Sequence, residues 1–320
     1  MVAIDIGIII GGLVILCFGG YALVLGSVAL AKKLQVSSIV IGLTVVAYGT
    51  STPELATSII AAIGSHTELI LGNIVGSNIS NVGMVIGISA IFAPLAMRKI
   101  TTRRWLPIMI GVSLLLLVLS HDGEISQIDG VILLAGLIAF SIYTIKTAKK
   151  QNSVGDDVED EDPESEMALS KLHITNVPRA LGFVFIGAIL LFIGGQLTID
   201  SAVSIAESLG ISQMVIGITI IAIGTSLPEL VTSIIAIRKK QMDIGIGNIV
   251  GSNIYNILFI GGIAGTIVGI PVVADVFTDY YIMIAFSLVL FIGLRKYIPK
   301  PVGVGLAIAY VMYIGYTLLL

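Results

Sequence analysis

The sequence predicts an all-α polytopic membrane protein with ten transmembrane helices, arranged as two inverted five-helix repeats in which helices 2 and 7 are broken. Three observations carry that prediction. Of 320 residues, 56% are hydrophobic and only 12% charged, far more apolar surface than a soluble domain of this size can bury. A 45-residue stretch, Ser37 to Asn81, occurs again without a gap as Ser212 to Asn256. Each copy sets a proline and a glutamate in the middle of an apolar run, as AYGTSTPELATSII from Ala47 and AIGTSLPELVTSII from Ala222.

Apolar runs long enough to cross about 30 Å of hydrocarbon fall at 4–31, 36–63, 69–95, 104–120, 128–146, 178–199, 211–237, 243–270, 279–294 and 301–319. No Lys or Arg precedes Lys32, so the first span lacks the basic start of a cleavable signal peptide and is expected to be retained. The lone Cys17 lies within it, where a small buried hydrophobe is expected. All 17 basic residues fall in alternate connections, among them Lys32 and Lys33, Arg98 to Arg104, Arg238 to Lys240 and Arg295 to Lys300. The intervening connections carry acids and His only, such as His121, Asp122, Asp200 and Asp275. The positive-inside rule then predicts a multi-pass protein of the cell membrane with both termini extracellular and the 147–177 loop cytoplasmic.

The two copies, offset by 175 residues, share 26 of 45 positions. Five spans separate equivalent points, and because five is odd the copies are expected upside down relative to each other. The division follows: 1–150 as the first five-helix repeat (motif 37–81), 151–176 as an acidic cytoplasmic linker, and 177–320 as the second (motif 212–256). That linker, with eight acids between Asp156 and Glu166, reads as solvated and disordered; its acids lack the spacing of a calcium-binding loop. Inverted repeats with Pro/Gly-interrupted helices at matching positions are the pattern of secondary transporters, whose site lies near the midplane.

Pro53 has no N–H to offer the Gly49 carbonyl, and its ring crowds that carbonyl, so the helix is expected to break; Gly224 and Pro228 repeat the device. Freed carbonyls at this depth need a polar partner. Glu54 and Glu229 would each cost about 2.5 to 3.5 kcal/mol as ionised groups at a helix centre, and no Lys, Arg or His lies within a span to pair with them. The counter-charge must come from protons or a bound cation. Two carboxylates, backbone carbonyls and the hydroxyls of Thr50, Ser51, Thr225 and Ser226 form an all-oxygen set that suits a hard cation such as Ca²⁺ or Na⁺. Downstream, GNIVGSNISN from Gly72 and GNIVGSNIYN from Gly247 hold G-x-x-x-G pairs for close helix packing. Their Asn73, Ser77, Asn81 and Asn248, Ser252, Asn256 fall at i, i+4 and i+8, as polar stripes expected to face the broken helices.

GTSTPEL and GTSLPEL, each followed by GNIVGSNI, resemble the two α-repeats of the cation/calcium antiporter superfamily, on its sodium/calcium exchanger branch. The resemblance implies a secondary antiporter that exchanges Ca²⁺ for about three Na⁺ by alternating access, electrogenically, with no cofactor, no nucleic-acid partner and function as a monomer. It implies Glu54 and Glu229 as central Ca²⁺ ligands with the carbonyls of Thr50 and Thr225. Sodium sites would use the Ala47 and Ala222 carbonyls with Ser51, Ser77, Thr225, Ser226, Ser252 and the two glutamates, and Asn81 and Asn256 would close the middle. Some members, including the potassium-dependent branch, carry Asp at the position of Asn256; Asn in both halves argues against potassium co-transport.

The alternative from the residues themselves is a proton/calcium exchanger, since two nearby carboxylates titrate as a coupled pair. A cation channel would also need intramembrane acids, but channels generally gather subunits around a pore. No H-E-x-x-H, and no His or Asp in a span beside a Ser, points to an enzyme. Moving the ions is expected to require the first and sixth spans, rich in glycine and free of buried charge, to slide against the core of repeats.

Overall fold

A computed structural model describes residues 2–64, 67–151, 163–211, 219–220 and 222–318. The helices run α1 (Val2–Leu34), α2 (Ser38–Thr50), α3 (Thr52–Ile63), α4 (Leu69–Phe92), α5 (Thr101–Leu119), α6 (Gln127–Ala148), α7 (Pro163–Lys171), α8 (Val177–Ser208), α9 (Ala222–Thr225), α10 (Leu227–Arg238), α11 (Met242–Ile267), α12 (Val276–Arg295) and α13 (Lys300–Thr317). Seven are long and apolar enough to cross a bilayer, and the pair α2/α3, bent by 46° at Ser51, makes an eighth. It is an all-helical membrane protein. The expected span 211–237 lies partly outside the described residues, which resume at Ala222; α13 occupies the expected tenth.

The 175-residue offset extends well beyond the motifs. It carries the end of α1 at Leu34 to within one residue of the end of α8 at Ser208, and the break at Ser51 onto the break at Ser226. Four two-residue strands obey it in part: β1 (Leu95–Ala96) maps onto β3 (Ile270–Pro271). β1 pairs antiparallel with β4 (Tyr297–Ile298), and β3 with β2 (Glu124–Ile125), so each short ladder ties a connection of one half to a connection of the other.

Burial separates a centre from a periphery. In α4 and α11, 83% of the apolar window is buried, against 22 to 39% for the other candidate spans. On α1 the exposed side carries Ile4, Ile10, Val14 and Phe18, the composition of a lipid-facing stripe. Cys17 lies on that exposed side, which corrects the expectation of a buried thiol: α1 turns its glycines to its partner and leaves Cys17 outward. Close helix approach depends on missing side chains. A Cβ on Gly247 would stand 2.8 Å from the Ile39 carbonyl oxygen and one on Gly251 2.6 Å from that of Leu43, so α2 lies directly on α11. The G-x-x-x-G pair of α11 therefore works as packing surface. Gly19 and Gly194 do the same between α1 and α8, where a Cβ would come within 2.7 Å of the Leu191 and Leu16 backbone nitrogens.

One part of the expected disordered linker is ordered. Pro163–Lys171 forms α7, whose Ala168 and Leu169 pack on the cluster around α1; residues 152–162 lie outside the described residues. PESEMALSK is too short to hold a helix alone, and the partial burial of Ala168 and Leu169 favours it here. Between the halves, Arg98 Nη1 donates to Asp243 Oδ2 at 2.9 Å, where Asp243 is buried at the start of α11.

Candidate functional site

The site begins at two matching interruptions. Ser51 has φ −82° and ψ 9°, and Ser226 has φ −88° and ψ 2°, each standing between a short helix and the next. Proline follows at the first turn of α3 and α10, where a missing N–H costs nothing and the fixed φ suits a helix start. That places Glu54 and Glu229 in the first turns, where the positive end of the helix dipole favours a carboxylate. Both are buried, at 1% and 0% exposure.

Their partners are few. Glu229 Oε1 accepts from Ser51 Oγ at 3.3 Å and from Ser252 Oγ at 3.4 Å, so residues of both halves converge on one oxygen. Thr50 Oγ1 lies 3.4 Å from Ser252 Oγ and donates to Asn248 Oδ1 at 2.9 Å. Glu229 Oε2, both Glu54 carboxylate oxygens, Ser226 Oγ, and the Oδ1 atoms of Asn81 and Asn256 are buried and meet no hydrogen-bond partner among the described residues. Unpaired buried polar atoms are costly, and these six are half of the twelve found among the described residues.

The amides explain which atoms remain for a ligand. Asn81 Nδ2 donates to Asn253 Oδ1 at 3.0 Å, and Asn256 Nδ2 donates to Asn78 Oδ1 at 3.1 Å. Asn78 Nδ2 in turn donates to the Asn253 carbonyl at 3.2 Å and Asn253 Nδ2 to the Asn78 carbonyl at 3.5 Å, with the sulfurs of Met283 and Met109 beside them at 3.6 Å each. The crossed ring engages the N–H groups of Asn81 and Asn256 and leaves their carbonyl oxygens. π-helical turns begin at both residues, Asn81–Ile86 and Asn256–Gly261, a local widening often found at functional positions.

The structure thus brings together Thr50, Ser51, Glu229, Asn248 and Ser252 by direct contact, and buries Glu54, Ser77, Asn81, Thr225, Ser226 and Asn256. Asn73 turns elsewhere: its Nδ2 donates to the Glu54 carbonyl at 3.0 Å and to Ser58 Oγ at 2.8 Å, so it braces α3. Asn248 Nδ2 does likewise to Ser233 Oγ at 3.2 Å. The Ala47 carbonyl accepts from Ser51 N at 3.0 Å and Thr50 Oγ1 at 3.3 Å; Ala222 opens α9 at the equivalent place. The sequence reading missed Asn78, Asn253, Ser58 and Ser233. The signal was present, since each is identical in both copies, but Asn78 and Asn253 fall off the i, i+4, i+8 stripe.

Chemically the set is oxygen only, with two carboxylates, and among the described residues no cluster of three or more His, Cys, Asp or Glu could hold a metal. That composition fits a hard cation and offers neither thiolate nor imidazole. A cavity of about 380 Å³ reaches the site's edge, lined by Pro53, Gly224, Thr225 and Pro228 at one end and by Gln196 and Asp200 of α8.

Comparison with known proteins gives concordant matches. The model of the family described as sodium/calcium exchanger protein matches residues 4–146 and 179–319. The sodium/calcium exchanger MaX1 of Methanosarcina acetivorans is 32% identical over 344 residues, covering 98% of each chain. The inner membrane protein YrbG of Escherichia coli is 30% identical over 318 residues, covering 96% of this chain and 95% of its own. A solved structure of the sodium-calcium exchanger NCX_Mj, soaked with zero Na⁺ and Ca²⁺, superposes with a TM-score of 0.81 at 33% identity over 99% of both chains.

Proposed function

The chain belongs to the sodium/calcium exchanger protein family, and from that premise we propose that it exchanges Ca²⁺ for Na⁺ across the membrane at the paired-glutamate site. The single observation that carries this reading is the set of buried oxygens without donors on Glu54, Glu229, Ser226, Asn81 and Asn256. Bound cations would supply the partners these oxygens lack. Glu54 and Glu229 are the central Ca²⁺ ligands with Thr50 and Thr225; Ala47, Ser51, Ser77, Ala222, Thr225, Ser226 and Ser252 complete the Na⁺ positions. One Ca²⁺ neutralises the two carboxylates. Three Na⁺ leave one positive charge, so exchange is electrogenic, at about 2.3 kcal/mol per charge per 100 mV.

In this reading the chain is two inverted five-helix repeats of ten spans, divided at the 151–176 segment, with both termini outside. The broken helices with α4 and α11 form the fixed core. The pair α1 and α8, joined backbone to backbone through their glycines, slides over that core and exposes the site to each side in turn. Competition of Na⁺ and Ca²⁺ for the same carboxylates makes the movement an exchange.

The test is transport in liposomes loaded with Na⁺ and diluted into Na⁺-free medium. Calcium uptake that requires internal Na⁺ and persists without a pH gradient is expected. Uptake that follows a proton gradient and ignores Na⁺ overturns sodium coupling in favour of proton exchange.

A further inference from the structure

The cavity at the edge of the site is lined in part by residues that the other half of the chain does not repeat. The cavity beside Thr225 and Pro228 is walled by Gln196 and Asp200 of α8, both exposed, and Gln196 Nε2 donates to Asp200 Oδ1 at 2.7 Å. That bond fixes one carboxylate oxygen and leaves the other toward solvent. The offset of 175 places Tyr21 and Leu25 of α1 at the equivalent positions. Leu25 is fully buried, and the Lys239 amine sits 4.9 Å from the centre of the Tyr21 ring. The cavity therefore carries an acid where the matching position of α1 is a buried leucine.

We propose that Asp200 is a cation-recruiting residue that raises the local concentration of Ca²⁺ and Na⁺ at one mouth of the protein only. The inference rests on the transport reading above. A fixed negative charge in a narrow cleft with low-dielectric walls concentrates cations along it. The same potential acts twice on a divalent ion, so the enrichment of Ca²⁺ is the square of that of Na⁺. Asp200 touches the ions on their way and contributes no ligand to the central site, so it alters how readily the site fills and not how fast the loaded protein turns.

The experiment compares the protein with Asp200→Asn, Asp200→Ser and Asp200→Glu in right-side-out and inside-out membrane vesicles, reading initial calcium uptake against external Ca²⁺ and initial sodium uptake into calcium-loaded vesicles against external Na⁺. At ionic strength of about 0.01 M, where the screening length is about 30 Å, Asp200→Asn is expected to raise KM for Ca²⁺ about fourfold and for Na⁺ about twofold, with Vmax unchanged. The shift appears in one vesicle orientation, shrinks towards unity as choline chloride approaches about 1 M, and is reversed by Asp200→Glu. A fall in Vmax at constant KM, equal shifts in both orientations, or a shift indifferent to ionic strength overturns the proposal. Asp200→Ser serves if the Asn variant does not fold. Wild-type vesicles that show no sodium-driven uptake defeat the exchange reading itself, a result seen before any variant is compared.

Discussion

Truncating Asn253 to alanine tests the link between the amide ring and the proposed cation site. Asn253 Oδ1 is the acceptor of the Asn81 Nδ2 bond at 3.0 Å, and its own amide bonds the Asn78 carbonyl. Removal leaves a buried N–H without an acceptor, at about 1 to 3 kcal/mol of folding stability. It also frees the Asn81 amide to turn and present N–H in place of the Oδ1 that now has no partner. A group that orients a ligand typically contributes 10- to 100-fold in metal affinity, so the expected loss of Ca²⁺ affinity is about 1.4 to 2.7 kcal/mol. Calorimetric titration of the purified protein in detergent measures it, with thermal unfolding recorded in parallel in the absence of calcium. Asn78→Ala, the counterpart acting on Asn256 through a 3.1 Å bond, should behave alike. A variant with lowered Tm and Ca²⁺ affinity within twofold of wild type would refute the reasoning, leaving the ring as packing alone.

Other expectations follow from the same geometry. Glu54→Gln and Glu229→Gln should each abolish sodium-driven calcium uptake, because a neutral amide halves the charge that meets Ca²⁺; uptake near the wild-type rate in either variant sinks the site assignment. Gly194→Val, which sets a side chain where a Cβ already meets the Leu16 nitrogen at 2.7 Å, should block transport while calcium binding in detergent survives; loss of both together would place the seam's role in folding instead of movement. Arg98→Ala should lower stability by about 2 kcal/mol, less than the 3 to 5 of a fully enclosed pair because the Arg side chain is 31% exposed, and a Tm unchanged within error would show Asp243 adequately held without it.

How much of this was legible in the sequence depended on whether the physics was local or repeated. The breaks could be read from Pro53 and Pro228, since a missing N–H acts on the residue four back wherever the chain goes. Glu54 and Glu229 stood out because an acid in hydrocarbon requires a reason. Asn78 and Asn253 did not, for their role is to hold other side chains across the interface between halves, and no periodicity on one helix reports a partner 172 or 178 residues away. Helicity in Pro163–Lys171 was likewise invisible, because it depends on Ala168 and Leu169 finding the α1 cluster. Asp200 was read only as part of an acidic connection; that it borders a cavity emerges from how α8 lies beside the broken helices.

The uneven provision of donors around the two carboxylates bears on why exchange, and not leak, would follow from such a site. Glu229 has two long hydroxyl bonds on one oxygen, and Glu54 has none from any described residue. Neither arrangement replaces the hydration that an ionised carboxylate loses, which amounts to a few kcal/mol per group at this depth. A core with closed access on both sides and no cation would hold two such groups together, and their repulsion adds to the penalty. Water can offset this while the cavity is open, and a bound cation can offset it when the site is shut. In the exchange proposed above, passage between the two open forms would then be easier for the protein loaded with cations or protons than for one holding two bare, ionised carboxylates, and net return of an empty carrier would be suppressed to that extent. Donors added around Glu54 would weaken that discrimination by satisfying the carboxylate in the absence of cation.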